Sequence, residues 1–90
     1  MKFVWDTEKA AVNQRKHGVT LEEATTPLRD VLAATGHDPD HSSDEDRDVT
    51  FGVSEKNRLL VVSPIEEGDV VRIISSRAVT PGERKIYEEG

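Results

Sequence analysis

The sequence predicts an α+β fold in which helices pack on one face of an antiparallel sheet. Three observations predict it. Two capped helical segments fill the N-terminal part, three β-rich runs joined by short turns fill residues 49–75, and a capping box at Thr80 opens a last helix. Ninety residues make one domain, residues 1–90, with no internal repeat.

The elements follow in order. Lys2–Trp5 reads as a short strand. Asp6 is a good N-cap because its carboxylate can accept from the free N–H groups of a first helical turn. That helix runs to about His17 and stops at Gly18, the residue best able to take the left-handed conformation after a helix end. Thr20 with Glu23 forms a capping box for a second helix, and Val19 with Ala24 forms the hydrophobic staple beside it. Pro27 keeps this helix short, since it lacks an N–H and disfavours the helical conformation at Thr26. Val31–Thr35 reads as another strand. Residues 36–48, polar, acidic and turn-rich, read as an exposed loop between two structured halves.

After the loop the period becomes that of a sheet. Val49–Val53, Arg58–Ser63 and Val70–Ser75 are strands, and turns this short between them make antiparallel hairpins. Leu59-Leu60-Val61-Val62 is apolar on both faces and so should be the central, doubly covered strand. Pro64 cannot donate to the ladder, so that strand either ends there or lies beside a bulge. Thr80-Pro81-Gly82-Glu83 is a second capping box, with Pro at the first helical position of a short helix through Tyr87.

Composition limits the function classes. Hydrophobic residues are 34% and aromatic residues 4% of the chain, so the core is thin and aliphatic. The absence of cysteine excludes a disulfide scaffold and a thiolate zinc site and fits a reducing compartment. No apolar run is long enough to span a membrane, and Met1-Lys2-Phe3-Val4-Trp5-Asp6 turns polar too soon for a signal peptide, so a cytoplasmic location is expected. The net charge of −6 confines any nucleic-acid face to a local patch and suits a basic protein partner equally well.

Three groups of residues carry possible chemistry. On the first helix Lys9, Asn13 and Lys16 share a face, with His17 beside them, a basic–amide–imidazole stripe able to touch phosphate and move a proton. The same residues also suit a solvated helix end, where basic groups favour the negative end of the dipole. In Arg72-Ile73-Ile74-Ser75-Ser76-Arg77 an unbroken strand would send the two arginines to opposite faces, whereas a bulge near Ser75-Ser76 would bring both toward one cleft. Salt bridges to the many carboxylates are the competing use of these arginines. Finally, His37, Asp38, Asp40 and His41 are possible metal ligands, but no second cluster completes a set; neither a metal nor a cofactor is expected.

Taken together, the blocks are familiar. The first is Trp5-Asp6, Lys9, Asn13, Lys16-His17-Gly18-Val19 and Glu22-Glu23-Ala24. A looser middle contains Asp40-His41, Glu45, Arg47 and Gly52. The last is Leu60-Val61-Val62, Arg72 through Ala78, Glu83-Arg84 and Tyr87. In order and spacing they resemble the BrnT family of toxins of type II toxin–antitoxin systems. The resemblance implies a RelE-like fold and a ribonuclease toxin that inhibits translation by metal-independent RNA cleavage. It also implies a cognate BrnA-type antitoxin whose ribbon-helix-helix part binds operator DNA, so that the toxin meets DNA only through it. Such cleavage needs a base for the 2′-hydroxyl, cations for the phosphorane and an acid for the leaving oxygen. Arg77 and Arg72 match the strand motif and would stabilise phosphate, His17 would be the general acid/base, and Lys16 and Arg84 would bind the RNA backbone. The chain departs from the family at Ser63-Pro64-Ile65-Glu66-Glu67, where many members carry an aromatic and then a basic residue, and at Pro27, where a helix usually continues. These departures keep a second reading open: a catalytically weak or inactive toxin-fold binding module that acts with a DNA-binding partner in repression.

Overall fold

The computed structural model describes residues 2–30, 32–37 and 48–89. The elements are β1 (Lys2–Val4), α1 (Thr7–His17), α2 (Leu21–Ala24), a 3-10 turn (Pro27–Arg29), β2 (Ala34–His37), β3 (Asp48–Val53), β4 (Leu59–Glu67), β5 (Val70–Ala78) and α3 (Pro81–Glu89). The helix ends follow from their caps. The Asp6 carboxylate accepts from the N–H groups of Glu8 and Lys9 at 2.8 and 3.3 Å, and Gly18 closes α1 with φ of 68°. Thr20 caps α2 through its hydroxyl, 3.1 Å from the Glu23 N–H. At α3 the box closes in both directions: Glu83 N–H donates to the Thr80 hydroxyl, and Thr80 N–H donates to the Glu83 carboxylate. The α2 box closes in one direction only, because the Glu23 side chain turns into the core.

The five strands lie in the order β1-β5-β4-β3-β2. All pairs are antiparallel except β1 with β5, which is parallel, so the expected antiparallel sheet is in fact mixed. The reason is connectivity: β1 and β5 come from opposite ends of the chain, and everything between them serves as the crossover that parallel pairing requires. β4 is the central strand, and Leu59, Leu60, Val61 and Val62 are all buried, as their two-sided apolar pattern requires. β2 begins three residues later than expected and reaches His37, while β3 begins at Asp48. The rest of the acidic loop, with Asp38, Asp40, His41, Glu45 and Arg47, lies outside the described residues, as does Val31.

Register assigns the faces. On the first face Leu21 and Ala24 of α2 pack with Val62, Val71 and Ile73, and Phe3, Trp5, Ala10 and Leu28 border this cluster. Gly52, paired with Leu60, lies against Pro27 of the 3-10 turn on this side. Val49, Leu59 and Val61 fall on the second face and are also buried. α3 belongs to this second face. Its Glu83 pairs with Arg77, which stands opposite Val61, and its Tyr87 hydroxyl donates to the Leu32 carbonyl at 3.2 Å, just before β2. The helices therefore cover both faces, whereas the sequence led us to expect them on one: α1 and α2 precede the sheet, and α3 leaves β5 to cross the other side.

The two layers are tied by polar contacts as well. Glu23, buried on α2, accepts from the Ser54 hydroxyl at 2.6 Å and from the Arg58 guanidinium, whose outer nitrogen also reaches the Gly18 carbonyl. Arg58 above all holds the Glu23 carboxyl below its usual range, against the opposing effect of burial. Asp30 accepts from Val53 N–H at 3.0 Å and Leu32 N–H at 2.9 Å, which anchors the chain leaving the 3-10 turn to β3.

Candidate functional site

The site is organised by one irregularity in β5. Leu60 pairs with Ala78, Val61 with Arg77, Val62 with Ser76 and Ser63 with Ser75, but Pro64 pairs with Ile73. Ile74 is thus an extra residue, a bulge opposite the Ser63-Pro64 step. Pro64 explains its position: a residue without an N–H interrupts the ladder there, and the strand resumes to Glu67 beyond it. Of the two outcomes the proline allowed, the bulge is realised.

The bulge changes side-chain parity along β5. Val71 and Ile73 before it and Ser76 after it are buried on the first face. Arg72, opposite Ile65, and Arg77, opposite Val61, both fall on the second face, with Ser75 between them opposite Ser63. The bulge brings onto one face two arginines that an even strand would have separated.

Both arginines are engaged by carboxylates. Arg77 grips Glu83 with both terminal nitrogens, at 2.7 and 2.9 Å, and donates to the Ala78 carbonyl at 3.2 Å. Arg77, with the Thr80 N–H in support, lowers the Glu83 carboxyl to a pKa of about 2, so this pair stays ionic throughout the neutral and mildly acidic range. Arg72 donates from Nε to Glu67 at 3.0 Å, and both partners are about half exposed. Of the two glutamates that follow Pro64, register puts Glu67 on the arginine face and Glu66 on the other.

A groove of about 360 Å³ opens between α1 and the bulge. Glu8, Lys9, Val12, Asn13, Lys16 and His17 line it from the helix, and Ile74 and Ser75 line it from the strand. Two lysines against one glutamate make it locally cationic in a chain of net charge −6. Lys16 and His17 are thus brought together in one groove, and Ser75 joins that groove to the stretch that bears Arg72 and Arg77. The arginines themselves are not among the groove-lining residues. Arg84 is exposed on α3, one residue after Glu83 and apart from the groove.

Asn13 lies on the same helix face as Lys9, Lys16 and His17, as its spacing predicts, but at the floor of the groove, where its side chain is buried. The amide donates to the carbonyls of Val19 and Ser76, both at 2.9 Å, and accepts from Ser76 N–H at 3.0 Å. The reason is that β1 stops pairing at Arg72, which leaves the outer edge of β5 open beyond it. A primary amide is the side chain that carries the same donor and acceptor pair as a peptide unit.

The ion-pair partners of Arg72 and Arg77 are not singled out by the sequence. Glu83 reads in the sequence only as a cap, and nothing local marks it as the mate of a strand arginine six positions earlier. Glu67 was legible in principle, since it and Arg72 flank the tight Gly68-Asp69 turn. Among the described residues no group of three or more histidines, aspartates or glutamates is arranged to hold a metal, and no helix is long and apolar enough to cross a membrane.

Comparison with known proteins places this arrangement. No curated protein sequence matches the chain. The 1.1 Å crystal structure of the Brucella abortus ribonuclease toxin BrnT is similar in fold, with a TM-score of 0.68 and 23% identity over 89% of this chain and 97% of that one. The family model described as the ribonuclease toxin BrnT of type II toxin–antitoxin systems matches residues 5–83, from the entry of α1 to the first turn of α3. The chain therefore belongs to the BrnT family of ribonuclease toxins of type II toxin–antitoxin systems, a class that works with an antitoxin partner.

Proposed function

We propose that the chain is an endoribonuclease toxin with a RelE-like fold that cleaves RNA without a metal ion and thereby blocks translation in the cytoplasm. Arg77 and Arg72 stabilise the phosphorane, His17 acts as general acid/base, and Lys16 and Arg84 bind the RNA backbone. A cognate antitoxin of the BrnA type holds the toxin inactive and carries operator DNA through a ribbon-helix-helix part. The observation that supports this reading is the Ile74 bulge, which gives Arg72 and Arg77 a common face beside the cationic groove of Lys9, Lys16 and His17.

Induction of the chain alone is expected to stop bacterial growth and degrade RNA, and purified protein is expected to cut RNA equally well in excess EDTA. Arg77→Ala should lower cleavage by two orders of magnitude or so, the usual scale for loss of one charge-stabilising donor. Because Arg77 also holds α3 through Glu83, Glu83→Gln is the companion variant. If Arg77 acts on phosphate, Glu83→Gln retains far more cleavage than Arg77→Ala; equal losses assign Arg77 to docking α3.

A second reading draws on the ion pairs. With Arg77 forked onto Glu83 and Arg72 held by Glu67, the face is internally neutralised, which suits a binding module that assists a DNA-binding partner in repression without cutting RNA. Normal growth on induction of folded, soluble protein selects this alternative.

A further inference from the structure

We propose that Asn13 is a positioning residue that fixes the rotation of α1 on the sheet and so sets Lys9, Lys16 and His17 against the bulge of β5. The catalytic consequence of this placement rests on the reading of His17 as general acid/base. α1 has no apolar stripe with which to seat itself. Asn13 is buried and Ala10 half-buried, while every other residue from Thr7 to His17 is exposed, Val12 included. A surface helix is ordinarily held by a band of apolar residues three and four apart. Here that band is reduced to one methyl group and one amide. The chain is anchored on either side of the helix, by Trp5 at the border of the core and by the fully buried Val19. Those anchors fix where α1 runs but leave open how it is turned about its own axis.

Asn13 settles the rotation because its bonds are directional. The amide donates to the Ser76 carbonyl at 2.9 Å and accepts from the Ser76 N–H at 3.0 Å, so both of its ends grip one residue of β5. Donation to the Val19 carbonyl, also at 2.9 Å, closes the same amide onto the turn after α1. Ala10 packs without direction and tolerates a roll. Three hydrogen bonds in a buried place do not, because each group left unpaired there keeps its full desolvation cost. Lys9, Lys16 and His17 stand four before, three after and four after Asn13, the positions that surround it on the helix surface. All three line the groove with Ile74 and Ser75, so the amide at the floor holds the cationic wall in place. A roll of about 30° would carry side-chain atoms roughly 5–6 Å from the axis through about 3 Å. A misplacement of about 1 Å can cost on the order of a hundredfold in rate. Loss of the clamp therefore allows motion larger than the chemistry tolerates.

The test measures rotation and rate separately, on the full chain. Amide residual dipolar couplings along Thr7–His17 vary with the helical period, and the phase of that wave reports the roll of α1 relative to the sheet. In Asn13→Ala the phase should shift or the wave flatten. Gln14→Ala, a change at an exposed neighbour outside the groove, should leave it as in wild type. An unchanged wave in folded Asn13→Ala would overturn the proposal. Should that variant not fold, the wild-type side-chain amides decide. Exchange of the Asn13 amide protons about tenfold or more slower than those of Gln14 upholds the clamp, and equal rates overturn it. The kinetic arm is a double-mutant cycle. Asn13→Ala should lower kcat by about tenfold or more, a loss repeated in full in an Arg77→Ala background and reduced to less than about twofold in a His17→Ala background. Equal losses in both backgrounds would mark a general loss of stability and overturn the positioning of His17. If the wild type cuts no RNA, the ribonuclease reading fails and the dipolar wave alone decides the rotation.

Discussion

Arg77 and Glu83 show how one ion pair can serve two ends. The fork draws the first turn of α3 onto β5, and the same carboxylate completes the α3 capping box. Its pKa of about 2, against 4.5 for a free glutamate, links the pair to pH. A depressed carboxyl contributes stability that is complete above its unfolded value and is lost as pH falls through the folded one. Stability should therefore decline from about pH 4.5 toward pH 2, by at most about 3 kcal/mol for this group. Urea unfolding across that range measures it. Glu83→Gln is expected to be the less stable protein at pH 7, with the gap to wild type closing as the pH is lowered. Glu23, held down by Arg58, contributes in the same direction, so the Glu83 variant should keep part of the acid sensitivity.

At the scale of elements, the close approaches are carried by glycines and the layers by buried polar ties. A Cβ on Gly52 would stand 2.7 Å from the Pro27 carbonyl oxygen and 3.0 Å from the Pro27 Cβ. Both belong to a turn held by its ring and by Asp30, so neither can give way cheaply. Gly52→Ala should cost about 1–3 kcal/mol, the range for overpacking a filled interior, readable as a drop in the unfolding midpoint. Gly18→Ala meets no atom within 4 Å, yet the residue sits at φ of 68°. Its cost should be nearer 1 kcal/mol, from left-handed backbone alone. A larger loss at Gly18 than at Gly52 would contradict this account. Legibility also differs between elements. Caps, stop signals and the central strand could be read because each depends on a few neighbouring residues. The α2 box was half wrong because Glu23 found Arg58 and Ser54, more than thirty residues away, in place of its own helix terminus.

At the scale of the molecule, an acidic protein offers a cationic groove. Long-range repulsion from the net charge of −6 opposes RNA, so the RNA binding proposed above would come from short-range contacts with Lys9, Lys16 and their neighbours. Affinity for a single-stranded RNA should fall with salt, with a slope that drops by about 0.7 for each phosphate contact removed. Lys16→Ala should produce one such step in a fluorescence titration at several salt concentrations. Arg15→Ala, on the same helix but outside the groove, should change the slope less. Equal effects would mean that the groove is not the RNA path.

By itself the sequence determined the α+β class, the capped α1 and α3, the buried β4 and the residues from which a site could be built. These depend on local chemistry: a carboxylate or hydroxyl reaching the next turn, a glycine taking positive φ, an apolar run demanding cover on both sides. Only the tertiary structure decided that β1 pairs parallel to β5, that α3 crosses the second face, and that Asn13, on the groove face with Lys9 and Lys16, is buried as a clamp on β5. It also decided the question on which the site turns. Pro64 announced a break, but whether the strand ended or bulged depended on β5 continuing past it and on Ser76 meeting Val62. Side-chain parity after a bulge is set by hydrogen bonds between distant segments, and no local pattern encodes it.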